Sequence, residues 1–126
     1  MILDDTLQQF RRTLNRDYVA SAIIGLDGMH LSFDTAVTGI NGDRLAAELA
    51  DGLKDVMEMV RETNSGDLHY LNINTDKYRI LLLPLGADQS KVRYFCTLAI
   101  KQDGNVGKAI LELEKAQKIL AKEMNL

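Results

Sequence analysis

Three short, mostly apolar segments constrain the fold of this chain more than any other feature of its sequence. They are Tyr18–Leu26 (YVASAIIGL), Lys77–Leu85 (KYRILLLPL) and Val92–Ile100 (VRYFCTLAI). A strand that is apolar on both alternating faces is buried on both sides, so helices must cover both faces of its sheet. The sequence therefore predicts an α/β protein built as a three-layer α/β/α sandwich.

Two more strands and three helices complete the predicted order αββαβββα. Asp27-Gly28 predicts a hairpin turn. After it, Met29, Leu31 and Phe33 alternate with His30 and Ser32, which indicates an edge strand with one covered and one polar face. Helices are predicted at residues 4–16, at 43–63 after an Asn41 N-cap, and from 103–105 to about 124, with a strand at 68–74 and turns at 75–76 and 86–90. Hairpin connections make the five-stranded sheet mainly antiparallel, and residues 1–126 form one domain.

The net charge and the cysteine content of the chain argue against several kinds of partner and compartment. The formal net charge is −3, which disfavours nucleic acid and anionic membrane surfaces as partners. The one cysteine, Cys96, cannot form an internal disulfide, so a reducing compartment fits. The N-terminal residues lack the pattern of a signal peptide, and no segment is apolar for long enough to span a bilayer. We therefore expect a cytoplasmic protein.

The second helix has a wider apolar face than packing on one sheet requires. Eight apolar residues share an arc of about 140°: Leu45, Ala46, Leu49, Ala50, Leu53, Val56, Met57 and Val60. Gly52 and Met59 widen the face further. Glycine within a helix costs about 1 kcal/mol relative to alanine, so Gly52 indicates either the close approach of another backbone or a bulky residue of the chain's own sheet. Met59 favours a partner, because flexible thioethers suit binding surfaces.

The opposite face of this helix carries an acidic stripe. It consists of Glu48, Asp51, Asp55, Glu58 and Glu62. Such a run of charge is usually only a solvated face. The alternative is that it binds a basic surface on a partner.

No catalytic constellation is recognisable. Gly104–Lys108 has part of the pattern of a phosphate-binding loop, but Gln102 and Ala109 replace the first glycine and the final Ser or Thr. His30, His69 and Cys96 lack the spacing of a zinc site. We therefore expect no enzyme activity, no metal and no cofactor.

Two segments, VASAIIGLDGMHLSFD and YRILLLPLGADQSKVRYFCTLAI, together with the element order, resemble the roadblock family of dynein light chains. The resemblance covers nearly the whole chain and implies the roadblock, or profilin-like, fold. It also implies a homodimer in which second helices pack together and third strands pair edge to edge. On this sequence the interface is assigned to Gly52, Leu53, Met57, Met59, Tyr70 and Asn72.

The resemblance further implies association with a Ras-like small GTPase, as a regulator or a scaffold, and the acidic stripe is the predicted contact. No residue is identified as an arginine finger. Two other functions stay open: a structural assembly subunit with no GTPase partner, and a domain that senses a small molecule.

Overall fold

The computed structural model describes residues 2–86, 88 and 91–126. These residues contain five strands and three helices. The strands are β1 (Tyr18–Gly25), β2 (His30–Thr35), β3 (Leu71–Asn74), β4 (Tyr78–Leu85) and β5 (Tyr94–Lys101). The helices are α1 (Ile2–Leu14), α2 (Gly42–Glu62) and α3 (Val106–Glu123), and a 3-10 turn (Asn15–Asp17) follows α1. The strands form one antiparallel sheet in the order β2-β1-β5-β4-β3. The predicted αββαβββα fold is confirmed.

The larger core lies between one face of the sheet and the helices α1 and α3. Leu7 and Phe10 of α1 and Leu113 and Leu120 of α3 are at most 2% exposed. They pack with sheet residues that include Leu98. Because β1 is buried at every position and is paired on both sides, its doubly apolar sequence reflects a central strand, as predicted.

Among the described helices, α2 is the one that covers the second face of the sheet. Ala46 packs with Ala22 and Ile24 of β1, while Leu53 packs with Phe95 and Leu82 farther across the sheet. Asn41 caps α2 by accepting a hydrogen bond from the Arg44 backbone N–H at 3.0 Å, which satisfies a donor that the first helical turn leaves free. The predicted N-cap is confirmed.

The strand β2 lies at the edge of the sheet, as predicted, but its predicted covered face is confirmed only at Phe33, which packs with Ala46 of α2. Ser32 is buried, whereas Met29 and Leu31 are 66% and 45% exposed. The register between β1 and β2 shifts between Ile23 and Ile24, and this bulge breaks the simple alternation on which the prediction depended. The Ser32 hydroxyl donates a hydrogen bond to Asp4 of α1, so its burial leaves no unpaired polar group.

Two of the predicted turns contain residues with positive backbone φ angles. Gly28 has φ 89° in the β1–β2 hairpin, where Asp27 Oδ1 accepts a hydrogen bond from the Met29 backbone N–H at 3.1 Å. After α2, Asn64 and Gly66 have φ 51° and 93°. Of the predicted turn at 86–90, residues 87, 89 and 90 lie outside the described part of the chain.

A polar cluster joins α1 to the edge strand β2. The Asp34 carboxylate accepts hydrogen bonds from Arg11 Nε at 3.0 Å and from the Tyr18 hydroxyl at 2.7 Å. Arg11 Nη2 also donates to the Thr35 carbonyl at 2.7 Å. Ser21 completes the cluster, with its Oγ 2.6 Å from the Tyr18 hydroxyl oxygen. These side chains satisfy one another, so the cluster fixes the position of α1 on the sheet.

Candidate interaction surface on the second helix and third strand

Gly52 lies on the exposed side of α2, facing empty space. A Cβ atom built at this position would meet no heavy atom within 4 Å. The explanation that Gly52 accommodates a bulky residue of the chain's own sheet is therefore wrong. A helical glycine that is exposed and unhindered still lowers helix stability, so the remaining explanation from the sequence is a second backbone that approaches α2 at this point.

Met59, also assigned to the interface, is 55% exposed on α2. Met57 is half-buried and packs at the margin of the cluster that contains Leu53. Leu53 itself is only 2% exposed, because its side chain faces the sheet and contacts the core of its own chain. It has no surface to offer a partner, so its place in the assigned interface is corrected to a residue that supports α2 from beneath.

The strand β3 forms one edge of the sheet, with only β4 beside it. It begins at Leu71, so the predicted strand at 68–74 starts three residues too early. Tyr70, just before the strand, is 48% exposed, and Asn72 within it is exposed. An edge strand presents unpaired backbone N–H and C=O groups to which another strand can add.

The helix α2 covers the sheet less completely towards this edge. The helix packs mainly on β1 and β2, and Ile80 of β4 is only half-buried. Ile73 of β3, the cross-strand neighbour of Ile80, is 36% exposed. An apolar strip formed by Ile73 and Ile80, which α2 covers only in part, therefore lies at the β3 edge. The sequence reasoning missed Ile73, although its alternation with Asn72 and Asn74 is the signal that could have identified it.

The acidic stripe lies along the solvent side of α2, and all five of its residues are exposed. Glu48 forms an ion pair with Arg44, with 3.2 Å between Oε1 and Nε. The other four members form no ion pair among the described residues. The structure therefore brings the stripe together as one continuous acidic surface, as the helical spacing predicts.

A cleft of about 750 Å³ lies beneath the C-terminal half of α2. Its apolar walls include Leu26, Met57, Val60 and Val92, and Lys54, Glu58, Arg61 and Asp67 carry charges at its lining. These charged residues are exposed, so the cleft is an open groove beside the acidic stripe. Such a groove suits a side chain of a protein partner better than an enclosed small molecule, which is usually buried over most of its surface.

The side chains of Cys96 and His30 are both engaged within the fold. Cys96 is fully buried, and burial raises the pKa of its thiol to about 12, so it stays protonated at neutral pH. His30 Nε2 lies 2.9 Å from Asp43 Oδ1, an arrangement that ties β2 to the start of α2. Within residues 2–86, 88 and 91–126, no group of three or more His, Cys, Asp or Glu residues is placed to hold a metal ion.

None of the described helices is both long and apolar enough to cross a bilayer.

Known structures reproduce this arrangement of strands and helices. MglB from Myxococcus xanthus has a TM-score of 0.88 at 13% identity, covering 99% of this chain and 96% of its own. A roadblock/LC7 domain from Streptomyces avermitilis has a TM-score of 0.80 at 13% identity, covering 98% of each chain. A structure of MglB with a tetrameric arrangement has a TM-score of 0.77 at 15% identity, covering 94% of this chain and 84% of its own.

No protein-family model and no curated protein matches the sequence. At these levels of identity the similar structures establish the fold. The resemblance noted in the sequence is confirmed at that level: this chain has the roadblock fold.

Proposed function

We propose that this chain is a non-catalytic homodimeric regulator or scaffold that binds a Ras-like small GTPase. The observation that carries the proposal is the unhindered, exposed Gly52, on a helix that leaves part of its own sheet uncovered. The roadblock fold supports a GTPase as the partner, because the family resemblance associates this fold with Ras-like small GTPases.

The homodimer accounts for two features that a monomer leaves unexplained. Pairing of β3 with its copy would satisfy the exposed strand edge. Packing of one α2 against the other at Gly52 would cover Met59 and the strip that includes Ile73. The similar MglB structure with a tetrameric arrangement supports self-association as a property of this fold. The proposed interface is thus Gly52, Met57, Met59, Tyr70, Asn72 and Ile73.

The acidic stripe is the proposed contact for the GTPase. Complementary charge increases the rate of encounter more than it deepens affinity, and exposed carboxylates keep their effect only at low or moderate salt. The cleft beside Glu58 provides the apolar part of the contact. Because the sequence identifies no arginine finger, the chain would act by holding the GTPase's own switch residues.

The test is the association rate with a Ras-like GTPase from the same organism, loaded with GTP or GDP. Asp55→Lys with Glu58→Lys should slow association about tenfold or more and flatten its dependence on salt. The matched control reverses two exposed turn residues, Asp76→Lys with Asp103→Lys, which makes the same change in net charge far from α2. If both variants associated with the GTPase at the same rate, the acidic stripe would be only a solvated face. No binding by the wild-type chain to any such GTPase would favour a structural assembly subunit.

A further inference from the structure

The outer face of α3 carries a stripe of exposed lysines. Lys108, Lys115, Lys118 and Lys122 are all exposed and follow a heptad-like spacing, so they lie on one side of the helix. Leu111, at the remaining position of this spacing, is 60% exposed. Lys115 lies 3.7 Å from Glu112, and the other three lysines form no ion pair among the described residues.

The lysine stripe and the acidic stripe have the same spacing. Counted from Glu48, the acidic residues follow at intervals of three, four, three and four residues, and Lys108, Leu111, Lys115, Lys118 and Lys122 repeat those intervals. Each stripe thus extends about 21 Å at 1.5 Å per residue. A helix that carries one stripe can therefore match a parallel helix that carries the other, with an acid opposite a lysine at four of the five positions and Asp51 opposite Leu111.

The two stripes cannot meet within one chain. The helix α2 covers one face of the sheet, and α3 packs on the other. Both stripes point away from the sheet, so a contact between them must join two copies. Such a contact is heterologous: each copy uses a different surface, and each leaves one stripe free for the next copy.

We propose that the lysine stripe of α3 binds the acidic stripe of α2 on a second copy of this chain, stacking copies head to tail. Exposed ion pairs contribute little individually, so the contact is weak and depends on ionic strength. It occupies the surface that the proposed function gives to the GTPase, and stacking and GTPase binding therefore exclude each other. The stacking itself requires no GTPase and can be tested without one.

The experiment is light scattering on the full chain at about 0.01 M and about 1 M salt, where charges are screened over roughly 30 Å and 3 Å. The weight-average mass should exceed its high-salt value at low salt and rise with protein concentration. Lys115→Glu with Lys118→Glu should abolish the rise, and so should Asp55→Lys with Glu58→Lys. The control Lys77→Glu with Lys91→Glu, which reverses two exposed lysines elsewhere, should retain it.

Mixing the two reversed variants provides the decisive comparison. Each variant alone places like charges opposite each other at two positions of the aligned stripes, whereas in an equimolar mixture the two reversed positions of α2 on one chain face the two reversed positions of α3 on the other with opposite charge. The increase in weight-average mass at low salt should return in the mixture, and also in a chain that carries all four substitutions. A wild-type mass that is equal at both salt concentrations, or a mixture that stays at its high-salt mass, would overturn the proposal.

Discussion

Asp34 is the centre of the polar cluster that joins α1 to the sheet. Burial alone would raise the pKa of its carboxyl group, but hydrogen bonds from Arg11 and Tyr18 and the charge of Arg11 outweigh it, so the pKa lies below the ordinary value. Burial also raises the pKa of the Tyr18 hydroxyl, which therefore stays protonated and donates to Asp34. The cluster is arranged for an ionised Asp34.

Asp34→Asn should lower the free energy of unfolding by about 1–3 kcal/mol at neutral pH, because a charge-assisted hydrogen bond is removed from a partly buried site. A carboxyl group whose pKa is lowered on folding stabilises the fold above its unfolded pKa, and that contribution disappears as pH falls through the folded value. Urea unfolding from pH 7 to below pH 4 checks this, because the difference in unfolding free energy between wild type and Asp34→Asn should become smaller in acid. Asp76→Asn, in an exposed turn, is the control. A difference between wild type and Asp34→Asn that does not change with pH would contradict the account.

At the scale of elements, strands and helix caps were predictable because their causes are local. The central strand β1, the cap at Asn41 and the hairpin at Gly28 each follow from residues that are neighbours in sequence. The exposure of Leu31 and the burial of Ser32 were not predictable, because a bulge opposite Ile23 and Ile24 and a hydrogen bond from Ser32 to Asp4 determine them. The burial of Leu53 required knowing which part of the wide apolar face of α2 meets the sheet.

Gly52 tests whether two α2 helices cross closely. Gly52→Leu should weaken self-association at least tenfold, because a large side chain would separate the two backbones. It should leave the far-ultraviolet circular dichroism unchanged, since the chain itself has space for the side chain and leucine is the better helix former. Sedimentation equilibrium measures the association constant.

Gly52→Ala is the graded control, because it removes the helix penalty of glycine and adds only a methyl group. Association that is equally strong in the wild-type, alanine and leucine chains would mean that no second helix approaches Gly52.

Considered as a whole, the molecule carries its acidic stripe and its lysine stripe on opposite sides of the sheet. The acidic stripe was recognised from the sequence, but its relation to the lysine stripe was not, because only the topology places α2 and α3 on opposite faces. The partly covered strip near Ile73 has the same origin: it depends on α2 lying mainly over β1 and β2. Both proposed uses of α2, in the dimer and with a charged partner, follow from this asymmetry.

The homodimer is the central claim, and its mass in solution tests it most directly. Light scattering coupled to size exclusion, at micromolar concentration and about 1 M salt to screen the charged stripes, should give about twice the 14.1 kDa mass of the chain. Contacts through Gly52, Met59 and the β3 edge are backbone and apolar contacts, which high salt does not weaken. A mass of 14.1 kDa under these conditions would contradict the account.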